Sequence, residues 1–205
     1  MDATTLLSST KLIAVVTIEN GDQAVPLAQA LLAGGINTIE VTLRTKTALT
    51  AMEYITAQVP QILLGAGSVR YTEQFAEIQQ AGCAFAVSPG ATDRLLDYAN
   101  LPYIPGAATA SECLKLLERG YTLQKFFPAE SNGGVGALKS IAAPLPEVRF
   151  CPTGGVTAAL VREYLALDAV SCVGGSWFVP AKLLENGDFS AIEQCARDAV
   201  QLTHG

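Results

Sequence analysis

The chain has 205 residues and a formal net charge of −6; 50% of its residues are hydrophobic and 16% are charged. This composition predicts a globular protein with a large core and excludes a disordered chain, while the negative charge argues against binding to nucleic acid or anionic membranes. Five scattered cysteines without CxxC spacing indicate reduced thiols, and the single histidine, His204, argues against a histidine metal site. No apolar run reaches transmembrane length, so we expect a cytoplasmic protein. Because the chain has a single histidine, we also expect no bound metal.

Short apolar strands alternate with amphipathic helices along the whole chain. A short helix or cap is predicted at 4–9, followed by strands at 12–18, 37–42, 62–65, 84–87, 103–105, 123–127, 148–151 and 170–173. The helices between and after them are predicted at 22–32, 47–58, 72–81, 92–98, 111–119, 134–142, 157–165, 181–184 and 189–202. Buried strands separated by helices are typical of a parallel sheet covered by helices.

Eight such units predict an α/β protein with a (β/α)8 TIM barrel, built as a single domain over residues 1–205. The alternative is an open doubly wound sheet, but no GxGxxG follows the first strand. In a barrel, the active site lies where the strands end and the following loops begin.

One lysine, Lys125, falls inside the apolar segment 123–127. Burial and a nearby positive charge favour a neutral amine, which attacks carbonyl carbon to give a Schiff base. The alternative is a lysine whose amine reaches solvent from the strand end.

Charged side chains also occur at the end of the second strand. Residues two apart on a strand share a face, so Glu40, Thr42 and Arg44 point the same way if the strand runs that far. If they point inward, Glu40 can transfer protons, and the Arg44 fork can bind both oxygens of a substrate carboxylate. The alternative is a structural Glu–Arg pair that closes the barrel floor.

Glycines follow strands seven and eight, in Thr153-Gly154-Gly155 and Gly174-Gly175-Ser176. Such glycines let backbone N–H groups approach an anion, and these two loops form the usual phosphate site of the barrel fold. We therefore expect these loops to bind a phosphate group, whose oxygens would take the space that a Cβ would fill. The alternative is that the glycines only allow tight turns between strand and helix.

Six segments together resemble 2-keto-3-deoxy-6-phosphogluconate (KDPG) aldolase and the related 4-hydroxy-2-oxoglutarate (KHG) aldolase. They are IEVTLRT at 39–45, GAGSV at 65–69, VSPG at 87–90, KFFPAE at 125–130, CPTGG at 151–155 and GGSW at 174–177. The resemblance runs from about the first strand to the last helix. It implies a homotrimeric class I aldolase of the bacterial Entner–Doudoroff route, with no metal and no other cofactor.

The resemblance also implies a role for each matching residue. Lys125 is the Schiff-base lysine and Glu40 the general acid/base. The substrate-binding residues it implies are Arg44 and Ser68 at the carboxylate end, Pro89, Thr153 and Phe127 along the pocket, and Gly154, Gly155, Gly175 and Ser176 at the phosphate. The family usually has threonine in place of Ser68, so looser packing is expected there.

The expected reaction splits KDPG into pyruvate and glyceraldehyde 3-phosphate, and also 4-hydroxy-2-oxoglutarate into pyruvate and glyoxylate. The resemblance leaves open an aldolase for the 6-phosphogalactonate epimer. The fold alone also leaves open a non-covalent phosphosugar isomerase or epimerase, or an inert phosphate-binding barrel. The expected partners are small molecules and further copies of the same chain.

Overall fold

The computed structural model describes residues 2–204; the predicted domain also takes in Met1 and Gly205, which lie outside that range. The strands are Leu12–Val16 (β1), Thr38–Thr42 (β2), Leu63–Gly67 (β3), Phe85–Val87 (β4), Tyr103–Ile104 (β5), Gly106–Ala107 (β6), Leu123–Phe126 (β7), Arg149–Pro152 (β8) and Val173–Gly175 (β9). The predicted order of strands and helices is confirmed, and most boundaries agree within two residues.

Helices follow the strands along the chain. They are Ala3–Leu6 (α1), Ala24–Ala33 (α2), Ala48–Gln58 (α3), Glu73–Gln80 (α4), Asp93–Tyr98 (α5), Ala110–Glu118 (α6), Gly134–Ala142 (α7), Val161–Leu165 (α8), Ala181–Glu185 (α9) and Phe189–Gln201 (α10). Short 3-10 turns precede α2 at Gly21–Gln23 and α7 at Glu130–Asn132. None of the helices within residues 2–204 has the length and apolar character needed to cross a membrane.

Every strand pairing is parallel. One sheet has the order β5-β4-β3-β2-β1-β9 and the other has the order β6-β7-β8. The two sheets approach each other at both sides: only Pro105 separates β5 from β6, and a single bridge joins Thr153, just after β8, to Gly174 in β9. The predicted α/β class with a parallel sheet is therefore confirmed.

The strands have two buried faces. Leu12, Ala14 and Val16 of β1 belong to the large cluster that the helices cover. Ile13 points to the opposite face, where a smaller cluster of nine buried residues includes Ala3 and Leu7 from the N-terminal segment. This segment therefore closes one end of the inner cluster, and the Thr4 hydroxyl lies 2.9 Å from that of Thr122, just before β7.

Some predicted boundaries were wrong. The fifth strand is interrupted because Pro105 has no N–H to donate to a ladder. The last strand begins at Val173 and not at 170, and α8 begins at Val161 after a run of turns. The second strand ends at Thr42, as predicted, so it does not extend to Arg44. Arg44 lies in the following turn, where its N–H donates to the Thr42 carbonyl at 2.8 Å.

Candidate active site

Lys125 is the third residue of β7, a strand whose four residues are all buried. Leu123, two residues earlier, packs in the inner cluster, whereas Phe126 packs under the helices. Because side chains alternate along a strand, Lys125 shares the inner face with Leu123. The apolar flanks thus place the amine inside the sheet and not at the surface.

The Lys125 amine contacts the carboxylate of Glu40, which projects from β2. Its Nζ donates to Oε1 at 3.0 Å and to Oε2 at 3.4 Å. The side chains are 6% and 2% exposed, so the pair is almost fully removed from water. The pairing confirms that Glu40 points inward, toward the lysine, and that Lys125 does not reach into open solvent.

Gly67 makes room for this carboxylate, which the sequence reasoning did not foresee. A Cβ at Gly67 would lie 2.1 Å from the Glu40 Oε1, far inside contact distance. Gly67 is directly opposite Thr42 in the β2–β3 ladder, and its lack of a side chain leaves the space that the carboxylate occupies. The sequence signal for this role of Gly67 was the glycine-rich segment 65–68 at the end of the third strand.

Arg44 and Ser68 meet at one side of the site. The Arg44 Nε donates to the Ser68 hydroxyl at 3.0 Å. Ser68 has a φ of 59°, in the left-handed region where a β-branched residue is strongly disfavoured. Serine therefore suits this backbone better than the threonine that the resembling family usually carries. Among residues 2–204, Arg44 has no carboxylate partner within 4.0 Å, which leaves its guanidinium fork available to an anion.

An open cavity of about 370 Å³ lies next to these groups. Of the predicted site residues, it is lined by Arg44, Lys125, Phe127, Thr153, Gly154, Gly155, Gly175 and Ser176. Glu40 and Ser68 lie just behind that lining, in contact with Lys125 and Arg44 respectively. Pro89 is outside the cavity lining: it is exposed, and its carbonyl lies against Gly106. Thr42, which the sequence reasoning placed on the same face as Glu40 and Arg44, also lines the cavity, as does Thr17, which that reasoning did not mention.

The glycines at the far end of the cavity are required for a different reason than expected. We expected a Cβ there to fill the space of phosphate oxygens. Instead, a Cβ at Gly155 would lie 2.8 Å from the Glu130 Cβ, and one at Gly175 would lie 1.8 Å from the Trp177 ring. These glycines are therefore needed because protein atoms already fill the space.

Glu130 joins the loop after β7 to the loop after β8. Its N–H donates to the Gly154 carbonyl at 3.0 Å, and its carboxylate accepts a hydrogen bond from the Tyr164 hydroxyl. Burial, together with this bond, raises the pKa of Tyr164. The contacts hold Gly154 and Gly155, which have φ values of 100° and 81°, in one defined turn.

The arrangement can perform amine and carboxylate chemistry on an anionic substrate. It combines a buried amine, a carboxylate at hydrogen-bond distance, a guanidinium and two glycine-containing loops around one cavity. Within residues 2–204, no three or more His, Cys, Asp or Glu side chains are grouped so that they could hold a metal ion.

Comparisons with known proteins agree with this chemistry. The family model described as KDPG and KHG aldolase matches residues 4–195. The KHG/KDPG aldolase of Escherichia coli (strain K12) is 48% identical over 202 residues, covering 97% of this chain and 95% of that protein.

Two solved structures are similar over nearly the whole chain. The KDPG aldolase of Legionella pneumophila, with pyruvate captured as a covalent carbinolamine intermediate, has a TM-score of 0.92 at 42% identity and covers 96% of this chain and 97% of its own. The KDPG aldolase of Zymomonas mobilis with 3-phosphoglycerate has a TM-score of 0.91 at 42% identity, covering 97% and 94%.

Proposed function

This chain belongs to the KDPG and KHG aldolase family, whose members are carbon–carbon lyases, and on that basis we propose that it is a class I aldolase. Its proposed reactions are the cleavage of KDPG to pyruvate and glyceraldehyde 3-phosphate, and of 4-hydroxy-2-oxoglutarate to pyruvate and glyoxylate. The observation that carries the proposal is the buried Lys125–Glu40 pair beside a cavity that Lys125 lines.

In the proposed mechanism, Lys125 supplies the nucleophile and Glu40 moves the protons. The amine transfers a proton to the carboxylate 3.0 Å away and attacks the C2 ketone of the substrate. The carbinolamine then takes the proton back as it loses water, which gives the protonated imine.

The imine then draws electrons from the C3–C4 bond. Glu40 removes the proton of the C4 hydroxyl, the C3–C4 bond breaks, and the aldehyde leaves while an enamine remains on Lys125. Glu40 returns the proton to C3, and hydrolysis of the resulting imine releases pyruvate. Every transfer uses a carboxylate that already contacts the reacting nitrogen.

The carboxylate of the keto acid is the proposed ligand of Arg44. The fork of an arginine matches a carboxylate, and the Ser68 hydroxyl holds the Arg44 Nε at 3.0 Å so that the remaining N–H groups stay available. Lys125, Arg44 and Phe127 all line the same cavity, which supports placing the keto acid there.

The phosphate is proposed to bind at the far end of the cavity, between the loops after β8 and β9. The proposed phosphate-binding residues are Gly154, Gly155, Gly175 and Ser176, with the backbone N–H groups of Gly154 and Gly155 and the Ser176 hydroxyl as donors. Thr153 lies between the two ends and lines the same cavity. Support comes from the resemblance and from the place of these loops at the ends of neighbouring strands.

Borohydride trapping tests the proposal. Pyruvate with sodium borohydride should attach a reduced covalent adduct to Lys125, detected by intact mass and peptide mapping. Lys139→Met, which changes an exposed lysine on α7, should label like the unsubstituted protein, while Lys125→Met should not label. An unlabelled wild-type protein that still converts a phosphosugar would instead indicate a non-covalent isomerase.

Further properties are proposed with this function. We propose that the two sheets form one (β/α)8 barrel in a single domain, supported by the short β5–β6 break and the Thr153–Gly174 bridge. We also propose a homotrimer that needs no metal or other cofactor, as the family resemblance implies, and a cytoplasmic location, as the sequence composition predicts. Analytical ultracentrifugation tests the trimer, and activity in excess EDTA tests the metal independence.

A further inference from the structure

Two threonine hydroxyls form a hydrogen-bonded pair in the cavity wall. The Oγ1 atoms of Thr17 and Thr42 are 2.8 Å apart, and both residues line the cavity that holds Lys125 and Arg44. Thr42 is 1% exposed. Within residues 2–204, neither hydroxyl has another hydrogen-bond partner. Two hydroxyls that share one bond keep one uncommitted O–H and free lone pairs, so the pair can both donate and accept.

The backbone around this pair is firmly held. The hydroxyls of Thr45 and Thr47 each donate to the Ile18 carbonyl at 2.7 Å. These two bonds attach the turn after β2 to the end of β1, directly beyond Thr42 and Thr17. The position of the two hydroxyls is thus set before any ligand arrives, which reduces the entropic cost of binding.

The pair also lies between the two ends of the proposed substrate site. Thr42 is two residues beyond Glu40 on the same face of β2, a rise of about 7 Å along the strand. Strand β1, which leads into Thr17, pairs with β2 on one side and with β9 on the other. Thr17 therefore stands between the strand that carries Glu40 and the strand that carries Gly174 and Gly175.

We propose that the Thr17–Thr42 pair binds the hydroxyl group on the aldehyde half of the substrate, the C5 hydroxyl of KDPG. The inference rests on the proposed function, because it needs the keto acid at Lys125 and the phosphate near Ser176. When the substrate extends between those two ends, its C5 hydroxyl lies beside the hydroxyls of Thr17 and Thr42. The pair then makes the enzyme prefer phosphorylated aldehydes that carry a hydroxyl next to the carbonyl.

The test is aldol condensation of pyruvate with two aldehydes. Glyceraldehyde 3-phosphate carries the hydroxyl, and freshly prepared 3-oxopropyl phosphate lacks only that group. Thr17→Val should lower kcat/KM for glyceraldehyde 3-phosphate about three- to tenfold, the size of one neutral hydrogen bond. The same change should alter kcat/KM for 3-oxopropyl phosphate less than about twofold, because no hydrogen bond is lost with that aldehyde.

The matched control is Thr17→Ser, which keeps the hydroxyl and should keep the preference of the unsubstituted protein. Thr42→Val and Thr42→Ser should repeat the pattern. If a valine variant melts at a lower temperature than wild type, Thr17→Ala removes the hydroxyl without adding a methyl group. Equal losses on both aldehydes, or no loss on either, would overturn the inference.

Failure of the underlying function gives a different result. If pyruvate and borohydride leave the unsubstituted protein unlabelled, the aldolase proposal is wrong. If the protein is labelled but Thr17→Val keeps the aldehyde preference, only the role of the threonine pair is wrong.

Discussion

Removing the Lys125 amine should destabilise the fold as well as abolish aldol cleavage. Its Nζ is 3.0 Å from the Glu40 Oε1, and the two side chains are 6% and 2% exposed. At an effective dielectric constant of about 20, that distance corresponds to about 5.5 kcal/mol of attraction. Breaking a buried ion pair from one side typically costs about 3–5 kcal/mol, because the other charge is left uncompensated. We therefore expect Lys125→Met to lower the free energy of unfolding by about 3–5 kcal/mol.

A second substitution separates the charge effect from the loss of packing. Methionine keeps an apolar chain of similar length, so most of the cost should come from the carboxylate that remains. The double variant Lys125→Met/Glu40→Gln removes that charge and should recover most of the lost stability.

Urea unfolding gives the free energy of unfolding of the wild type, Lys125→Met and the double variant, compared where the denaturant slope m is unchanged. Lys139→Met, which changes an exposed lysine, is the control and should lie within about 0.5 kcal/mol of wild type. If Lys125→Met is as stable as the control, or the double variant is no more stable than Lys125→Met, the pair is not the buried electrostatic contact described here.

Three further results are expected. Arg44→Ala should weaken binding of the 2-keto acid by about 1.5–3 kcal/mol, seen as a higher pyruvate concentration for half-maximal borohydride labelling; unchanged labelling would remove Arg44 from that role. Gly155→Ala should cost about 1–3 kcal/mol in unfolding because of its φ of 81° and the Glu130 contact, whereas Gly136→Ala, in an open helical position, should stabilise slightly; equal effects would contradict the turn geometry. Burial raises the pKa of Cys83 from 9.0 to about 12, so the unfolded state loses its thiol proton first and the free energy of unfolding should fall from about pH 9 to pH 12. Cys83→Ala should reduce that slope, and an unchanged slope would argue against the shift.

The meeting of Lys125 and Glu40 could be predicted from the sequence because it depends on strand alternation. A lysine and a glutamate that both point to the inner side of curled parallel sheets can meet there, and this expectation needs no knowledge of the loops. The position of Arg44 could not be derived in the same way. The strand ends at Thr42, so Arg44 reaches the cavity through a turn that strand alternation does not describe.

The loops show why local sequence alone was insufficient. A run of glycines signals a close approach, but it does not say which atoms approach. The Trp177 ring occupies the space beside Gly175, and the Glu130 side chain occupies the space beside Gly155. Both neighbours are close in sequence or in an adjacent loop, but their side-chain directions depend on packing. Pro89 lies outside the lining of this cavity, so its expected contact with the substrate stays a prediction.

The buried pair also explains how a lysine can be both stabilised in the fold and reactive in the proposed mechanism. Transfer of a proton from Lys125 to Glu40 turns two opposite charges into two neutral groups, so the net charge of the interior does not change. In the charged form the attraction between the two groups offsets part of their desolvation cost, and in the neutral form neither group carries a charge to desolvate. The transferred proton is then held on Glu40, next to the carbinolamine oxygen that must leave as water. Arg44, bonded to Ser68 and not to Glu40, stays available for the new charge that enters beside the pair, the carboxylate of the substrate.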